Sequence, residues 1–522
     1  MTHPNTLAEW EALTGDAALT APEHKLIAAC RDGKVCKLGD GKRPEGPDPE
    51  RNIRADLLRW LIVCGCANCM THEQGVQLVG AYITGQLDVS FATAKGLTLL
   101  TRCRFSKSIE ALQTRFELLN LADSSLPSLN AQGAEVKGDV FLRDGFEATG
   151  EVSLSGASIG GHLDCSNGCF SNEDGDALNA QGAEVKGGVF LRDGFEATGE
   201  VNLSGANIGG QLDCSNGCFS NEGGKALNLQ RMHVAESFFF VGVTVEQGSV
   251  VLAAAHIGDL CDDPHSWPVA GRLILDGFTY DRISAAFTDA PQRLEWLRKG
   301  AYWDGEFFPQ PYNQLAKVLR EMGHEREART VLIHKEKLLA DEQIQKDRAK
   351  AQALRAGTQG EQGYIGWHWL RRTAFKLGNG TARRLVGYGY APQYAFYWLL
   401  GCLAFLTVWY FALWQMGGFV PNSPVVLNSQ TWADVLKENA SAPGPLWAAT
   451  AIGKHYETFY SAFYAADVFI PLIDFGQETA WTATTANSAG WLVFITTFVF
   501  KSFGWFLTAL GAAAITGIIR RD

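Results

Sequence analysis

Basic residues are scarce in this chain. Its 522 residues carry 45 Lys plus Arg against 56 Asp plus Glu, a net charge of −11, which excludes the large cationic footprint of a nucleic-acid-binding protein. No Gly-X-Y period underlies its 56 glycines, so collagen is excluded and turn-rich β structure is favoured. The opening "MTHPNTLAEWEALTGDAAL" lacks a basic segment leading into an apolar core. No cleavable signal peptide is therefore expected, and the 12 cysteines read as reduced thiols, not a disulfide framework. Also missing are G-x-x-x-x-G-K-[ST], G-x-S-x-G and a G-x-G-x-x-G that opens a helix after a strand. Their absence removes the usual phosphate loop, hydrolase elbow and dinucleotide fingerprint. The length allows two to four domains.

What is present is repetition. Residues 129–177 and 178–226 are the same 49-residue stretch with six differences: Asp139/Gly188, Ser153/Asn202, Ser158/Asn207, His162/Gln211, Asp174/Gly223 and Asp176/Lys225. Inside it, "AQGAEVKGDVFL" (131–142) aligns with "LSGASIGGHLDC" (154–165), an offset of 23, and the next step is 26. The frame recurs at 78–89, 203–214, 229–240 and 252–263. Apolar residues alternate at Val136, Gly138, Val140 and Leu142, the period of a strand, with Gly and Asn at the corners and no amphipathic helix between. Units of this kind bury their apolar face only by stacking. The pattern predicts a mainly β fold, a parallel β-helix of 23–26 residues per coil over 76–288. Ile159, Val185 and Ile208 would form one interior ladder, with Cys165 and Cys214 inward on alternate coils.

Helical spacing of Leu57, Leu58, Leu61 and Ile62 predicts a cap over 51–75. The preceding 1–50 offers only a short helix near 7–13. Residues 289–345 read as a helical hairpin broken at Gly323, similar to half of a tetratricopeptide repeat and serving as the C-terminal cap. Residues 346–390 read as a basic juxtamembrane linker. The remainder, 391–522, reads as a membrane module with spans at 392–416 and 495–519 and an outward loop at 417–488. Arg371, Arg372, Lys376, Arg383 and Arg384 precede the first span, and Arg520 and Arg521 follow the second. The positive-inside rule then predicts cytoplasmic termini at a bacterial inner membrane, with Lys501 snorkelling at an interface.

Three constellations are candidates for function. "FYSAFYAADVFIPLIDFGQETAW" (459–481) resembles in position the pore helix and filter loop of two-span cation channels. It has no TVGYG, and Asp467, Asp474 and Glu478 would instead form a carboxylate ring in a symmetric oligomer. The structural alternative is an interfacial helix covering the outer end of the helical hairpin. "CGCANCMTHE" (64–73) offers Cys64, Cys66, Cys69 and His72 as a metal set, although surface cysteines at the cap junction explain it as well. Asp88, Asp164 and Asp213 share one frame position, and an outward acidic ladder of this kind serves carbohydrate-cleaving enzymes.

Together, "IRADLLRWLIV", "LVGAYITGQLDV", "PYNQLAKVLREMGHEREARTVL" and "DVFIPLIDFGQETAW" resemble a bacterial family of membrane-anchored solenoid proteins, over roughly residues 50–519. Many members are labelled "membrane-associated oxidoreductase". The resemblance implies architecture and inner-membrane location; the residues carry no cofactor fingerprint that implies the activity. The leading expectation is a membrane-anchored cytoplasmic scaffold or sensor, binding the bilayer and a protein partner or another copy of itself, with no cofactor and no nucleic acid. A channel-like effector gated by the β-helix is the alternative, and a metal- or redox-dependent enzyme the third.

Overall fold

A computed structural model describes residues 18–63, 70–303, 306–356 and 362–516. The chain divides into two compact units, one ending at Val331 and one beginning at Leu332.

The first unit is a parallel β-solenoid of about 9 turns. Each regular coil contributes four short strands, as in Leu119–Asn120, Ser125–Leu126, Leu129–Asn130 and Glu135–Val136. Buried positions run 109, 111, 114, 116, 119, 121, 124, 126, 129, 131, 134, 136, at alternating intervals of two and three. The underlying period is therefore five, with one strand-like pair per face and a corner between faces. Left-handed residues such as Arg102, Gln113, Asp123 and Gly133 recur at half-coil spacing. They turn the chain at a φ that Gly and Asn adopt most readily.

Register gives the coil length. Arg115 pairs with Glu135 and Ile109 with Leu129, a step of 20 residues. From Val136 onward the ladder is Ile159, Val185, Ile208, Val234 and Ile257, in steps of 23 and 26. The expected range of 23–26 thus holds along this ladder from residue 136, whereas the ladder through Phe170 and Phe219 alternates steps of 22 and 27 and the coils before residue 129 are tighter. The longer coils carry the bulged strands Cys169–Asn179 and Cys218–Asn228.

One long and one short coil make the 49-residue unit, and the core explains why the unit is a pair. Phe146, Phe170, Phe195 and Phe219 stack with centroids 5.2, 5.2 and 5.5 Å apart. They come alternately from two ladder positions: Ala148 pairs with Phe170, which pairs with Ala197, which pairs with Phe219. Opposite each second Phe stands a glycine. A Cβ on Gly168 would meet the Phe170 ring at 2.9 Å, and one on Gly217 the Phe219 ring at 3.1 Å. Gly168 and Gly217, each two residues before its Phe in the same coil, leave room for the Phe170 and Phe219 rings. Of the residues at the six differing positions, all but Gly188 are at least partly exposed, so the copies diverge only where packing does not constrain them.

Both ends are closed by helices, which protects the open edges. Helix α1 (Ala21–Asp32) was not legible as part of the cap, although Thr20 and Glu23 form a capping box and Gly33 ends it in the left-handed region. The expected helix near 7–13 lies outside the described residues. Helix α2 (Ala55–Val63) covers the first coil with Leu57, Leu58, Leu61 and Ile62 buried. Glu23 is buried and receives the Arg54 guanidinium at 2.8 Å through two nitrogens. Burial by itself raises the Glu23 carboxyl, but Arg54 and the backbone N–H groups of Thr20 and Arg54 outweigh it and hold it below the usual value.

At the other end lie α3 (Ala290–Gly300) and α4 (Gln310–Glu321). Gln310 and Gln314 donate to the carbonyls of Phe278 and Tyr280 at 3.1 and 2.6 Å, satisfying the last strand in place of another coil. Arg293 of α3 makes a bidentate pair with Asp262 at 2.8 and 3.0 Å. Both side chains are fully buried, and Trp267 donates to the same carboxylate at 2.6 Å. Gly323 ends the turn into α5 (Glu325–Ala356), with Leu315, Leu319, Ala328 and Val331 buried as the hairpin pattern predicts.

In the second unit, the region read as a linker is largely helical: α5 continues to Ala356, and α6 spans Gln362–Val386. Two helices are long and apolar enough to cross a membrane, α7 (Gln393–Gln415) and the last described helix, Ser488–Ile515. The latter begins seven residues before the expected 495, so Lys501 is its fourteenth residue and lies near its middle rather than at an end.

Candidate functional site

Between these two helices lies α8 (Ser461–Phe469); Ser488–Ile515 is α9. The connecting segment folds back on itself through an antiparallel pairing of Phe419 with Ala483 and Pro421 with Trp481. A cluster of rings fills the closure. Trp414 stacks on Phe459 at 4.4 Å, and Trp481 meets Trp414 edge-on at 4.7 Å. Trp414 thus packs inside this unit.

Helix α8 does not merely cover the end of the hairpin. It packs along both α7 and α9, with Ala465, Val468 and Phe469 buried. Tyr464 contacts the Tyr410 ring of α7 at 4.9 Å. Phe469 lies 6.3 and 6.0 Å from Phe500 and Phe503 of α9. A Cβ at Gly504 would collide with the Phe469 carbonyl oxygen, so a glycine is required for the approach. Gly504 is the seventeenth residue of α9, roughly 24 Å from its start at 1.5 Å per residue. The short helix thus descends past the midpoint of its neighbour before the chain turns back.

The three candidate carboxylates have separate fates. Asp467 is buried, and it accepts backbone N–H bonds from Phe475 at 2.5 Å, Gln477 at 2.7 Å and Glu478 at 3.3 Å. It holds the return segment against α8, a role that sequence spacing does not disclose. Asp474 is exposed, and its carboxylate accepts the Gly476 N–H at 2.9 Å. Glu478 pairs with Lys501 at 2.7 and 2.8 Å. Of the three, Asp474 alone is exposed.

The other constellations are less productive. Cys64, Cys66 and Cys69 lie outside the described residues. His72 packs against Gly33, accepts the Gln74 N–H at its Nδ1 and is tied through its own N–H to Cys30. Among the described residues no group of three or more His, Cys, Asp or Glu is placed to hold a metal. Burial pushes the Cys30 and Cys103 thiols up to about 12 and those of Cys165 and Cys214 well above the usual value, which disfavours the reactive thiolate.

The acidic ladder is spoken for. Asp164 accepts Arg143 at 2.8 Å and Asp213 accepts Arg192 at 2.9 Å, while each arginine also lies over Phe141 or Phe190. Asp88 pairs with Glu110 in the other sheet, so it does not share their ladder. Of the basic set, Lys376, Arg383 and Arg384 are exposed on α6. Arg371 and Arg372 belong to the same helix, and Arg520 and Arg521 lie outside the described residues. Comparison with protein-family models, with curated proteins and with solved structures finds no match.

Proposed function

We propose that the C-terminal unit is a channel-like membrane module, working as a symmetric oligomer in a bacterial cytoplasmic membrane, with the β-solenoid as its cytoplasmic, partner-sensing domain. The observation that carries this reading is the descent of α8 between α7 and α9 to the level of Gly504, followed by an immediate return. Non-helical backbone at such depth is tolerated in lipid only where protein or a water-filled cavity surrounds it. The return exposes Leu472 and Phe475, surfaces that a neighbouring subunit would cover.

Membrane insertion is supported by the large apolar side chains exposed on α7 and α9, among them Phe405, Val408, Phe411, Phe498 and Trp505. Only 22% and 17% of the apolar windows are buried, unlike the core helices of a soluble protein. The C-terminal end of α8, carrying partial negative charge, and the exposed Asp474 would favour cations. The positive-inside rule, applied to the basic residues of α6 and the C-terminus, orients the termini toward the cytoplasm. Membership of the membrane-anchored solenoid family is part of the same proposal.

The test is the native mass of the full-length protein in nanodiscs, followed by ion flux from liposomes. A tetramer or pentamer whose cation flux falls with Asp474→Asn supports the pore. A monomer overturns it, because two spans enclose no channel. A monomer would leave the anchored scaffold, a reading favoured by the regular ladder of Phe141, Phe190 and Phe239, partly exposed on one face of the solenoid.

A further inference from the structure

A cavity of about 640 Å³ opens beside α6, lined by Lys376, Leu377, Arg383 and Arg384 of that helix, Trp398 of α7 and Phe503 of α9. A second of about 300 Å³ shares Arg384 and Trp398 and adds Tyr394 and Tyr397. Among the described residues, none of the three cations takes part in an ion pair. This contrasts with Arg143, Arg192 and Arg293, each held by a carboxylate. Trp398 is fixed by donating its indole N–H to the Arg384 carbonyl at 3.1 Å, so its ring forms a fixed wall.

Cations of α6 and aromatic rings of α7 and α9 line the same cavity. Ala395 of α7 lies opposite Gly511, 3.6 Å from where a Cβ there would sit. Phe503 is eight residues earlier in α9, roughly 12 Å farther along the helix. Arg384, tied to Trp398 in the second turn of α7, therefore stands near the level where α7 begins, and Phe503 carries the apolar lining toward the middle of the spans.

From this charge complementarity and this gradient, we infer that the cavity binds an anionic phospholipid, its phosphate between Lys376, Arg383 and Arg384 and its acyl chains along Leu377, Trp398 and Phe503. Arginine forks match phosphate oxygens in a bidentate manner, and basic clefts beside spanning helices are suited to such headgroups. The inference rests on the membrane placement proposed above but not on conduction, so loss of the pore reading leaves it standing.

The experiment is native mass spectrometry of the full-length protein in detergent, titrated with phosphatidylglycerol, phosphatidylcholine or inorganic phosphate. We expect a phosphatidylglycerol adduct that phosphatidylcholine does not reproduce. The triple variant K376Q/R383Q/R384Q should weaken it by at least about tenfold, and R383K/R384K, which keeps the charge but loses the bidentate forks, should fall between the triple variant and the native protein. The same triple substitution monitored by circular dichroism and native mass separates lost binding from lost folding. Equal retention of the two lipids, an unchanged adduct in a folded triple variant, or displacement by millimolar inorganic phosphate would each overturn the proposal.

Discussion

The Lys501 ammonium lies 2.7 and 2.8 Å from the two carboxylate oxygens of Glu478, at the middle of an otherwise charge-free apolar helix. In water such a half-exposed pair would contribute about 0–1 kcal/mol. In a lipid or protein interior the loss of one partner strands a charge, at a cost of about 3–5 kcal/mol. The coupling energy from a double-mutant cycle of Glu478→Gln and Lys501→Met, measured on the solubilised protein and again in bilayers, therefore reads the surroundings. We expect weaker coupling in the solubilised protein than in the bilayer; equally weak values in both would contradict insertion at this level.

Asp262 and Arg293 share a fully buried bidentate pair. Arg293→Met should destabilise the capped end of the solenoid by about 3–5 kcal/mol, because Asp262 loses its counter-charge. Adding Asp262→Leu should restore part of the loss. Denaturant unfolding with hydrogen exchange at the strand Thr279–Ile283 would localise the effect, and equal loss in the single and double variants would refute it.

The Glu23 carboxyl is held below its ordinary value of 4.5. Its pairing with Arg54 thus stabilises the fold fully above that ordinary value, and the contribution disappears as pH falls through the lower folded value. Glu23→Gln should destabilise the N-terminal cap at neutral pH and flatten its acid dependence. Melting curves between pH 3 and 7, compared as differences between the two proteins, check the sign.

Phe195 fills a place bounded by Phe170 and Phe219. Phe195→Ala should cost about 3–5 kcal/mol as a cavity. Gly217→Ala, which presses on the Phe219 ring and the Leu191 carbonyl, should also destabilise, by about 1–3 kcal/mol. A neutral result at Gly217 would mean that the rings are not interlocked.

Much of this fold is legible in the residues because the solenoid stacks equivalents on equivalents: Ile159, Val185 and Ile208 align in sequence and pair in space. The interval of five is harder to read, since insertions such as Cys169–Asn179 interrupt it and alternation within one face resembles an ordinary strand. Helix α1 carries legible signals at Thr20, Glu23 and Gly33, but its low apolar content masks them. At the candidate site, sequence order suggests a helix between two spans. It does not reveal that Asp467 is used up by backbone N–H groups, or that Glu478 reaches Lys501 23 residues away. Those relations depend on how the return segment closes, which local spacing does not encode.

The interlocked rings have a consequence for how this rod can change length. A single added or lost coil would bring Phe against Phe, or glycine against glycine, across one junction. Removing residues 178–226 as a block would instead rejoin matching surfaces and shorten the rod by two coils, roughly 10 Å at the spacing of paired strands. Growth and shrinkage of the solenoid therefore proceed in double steps, and its reach is a quantised property written into the alternation of Phe146, Gly168, Phe195 and Gly217.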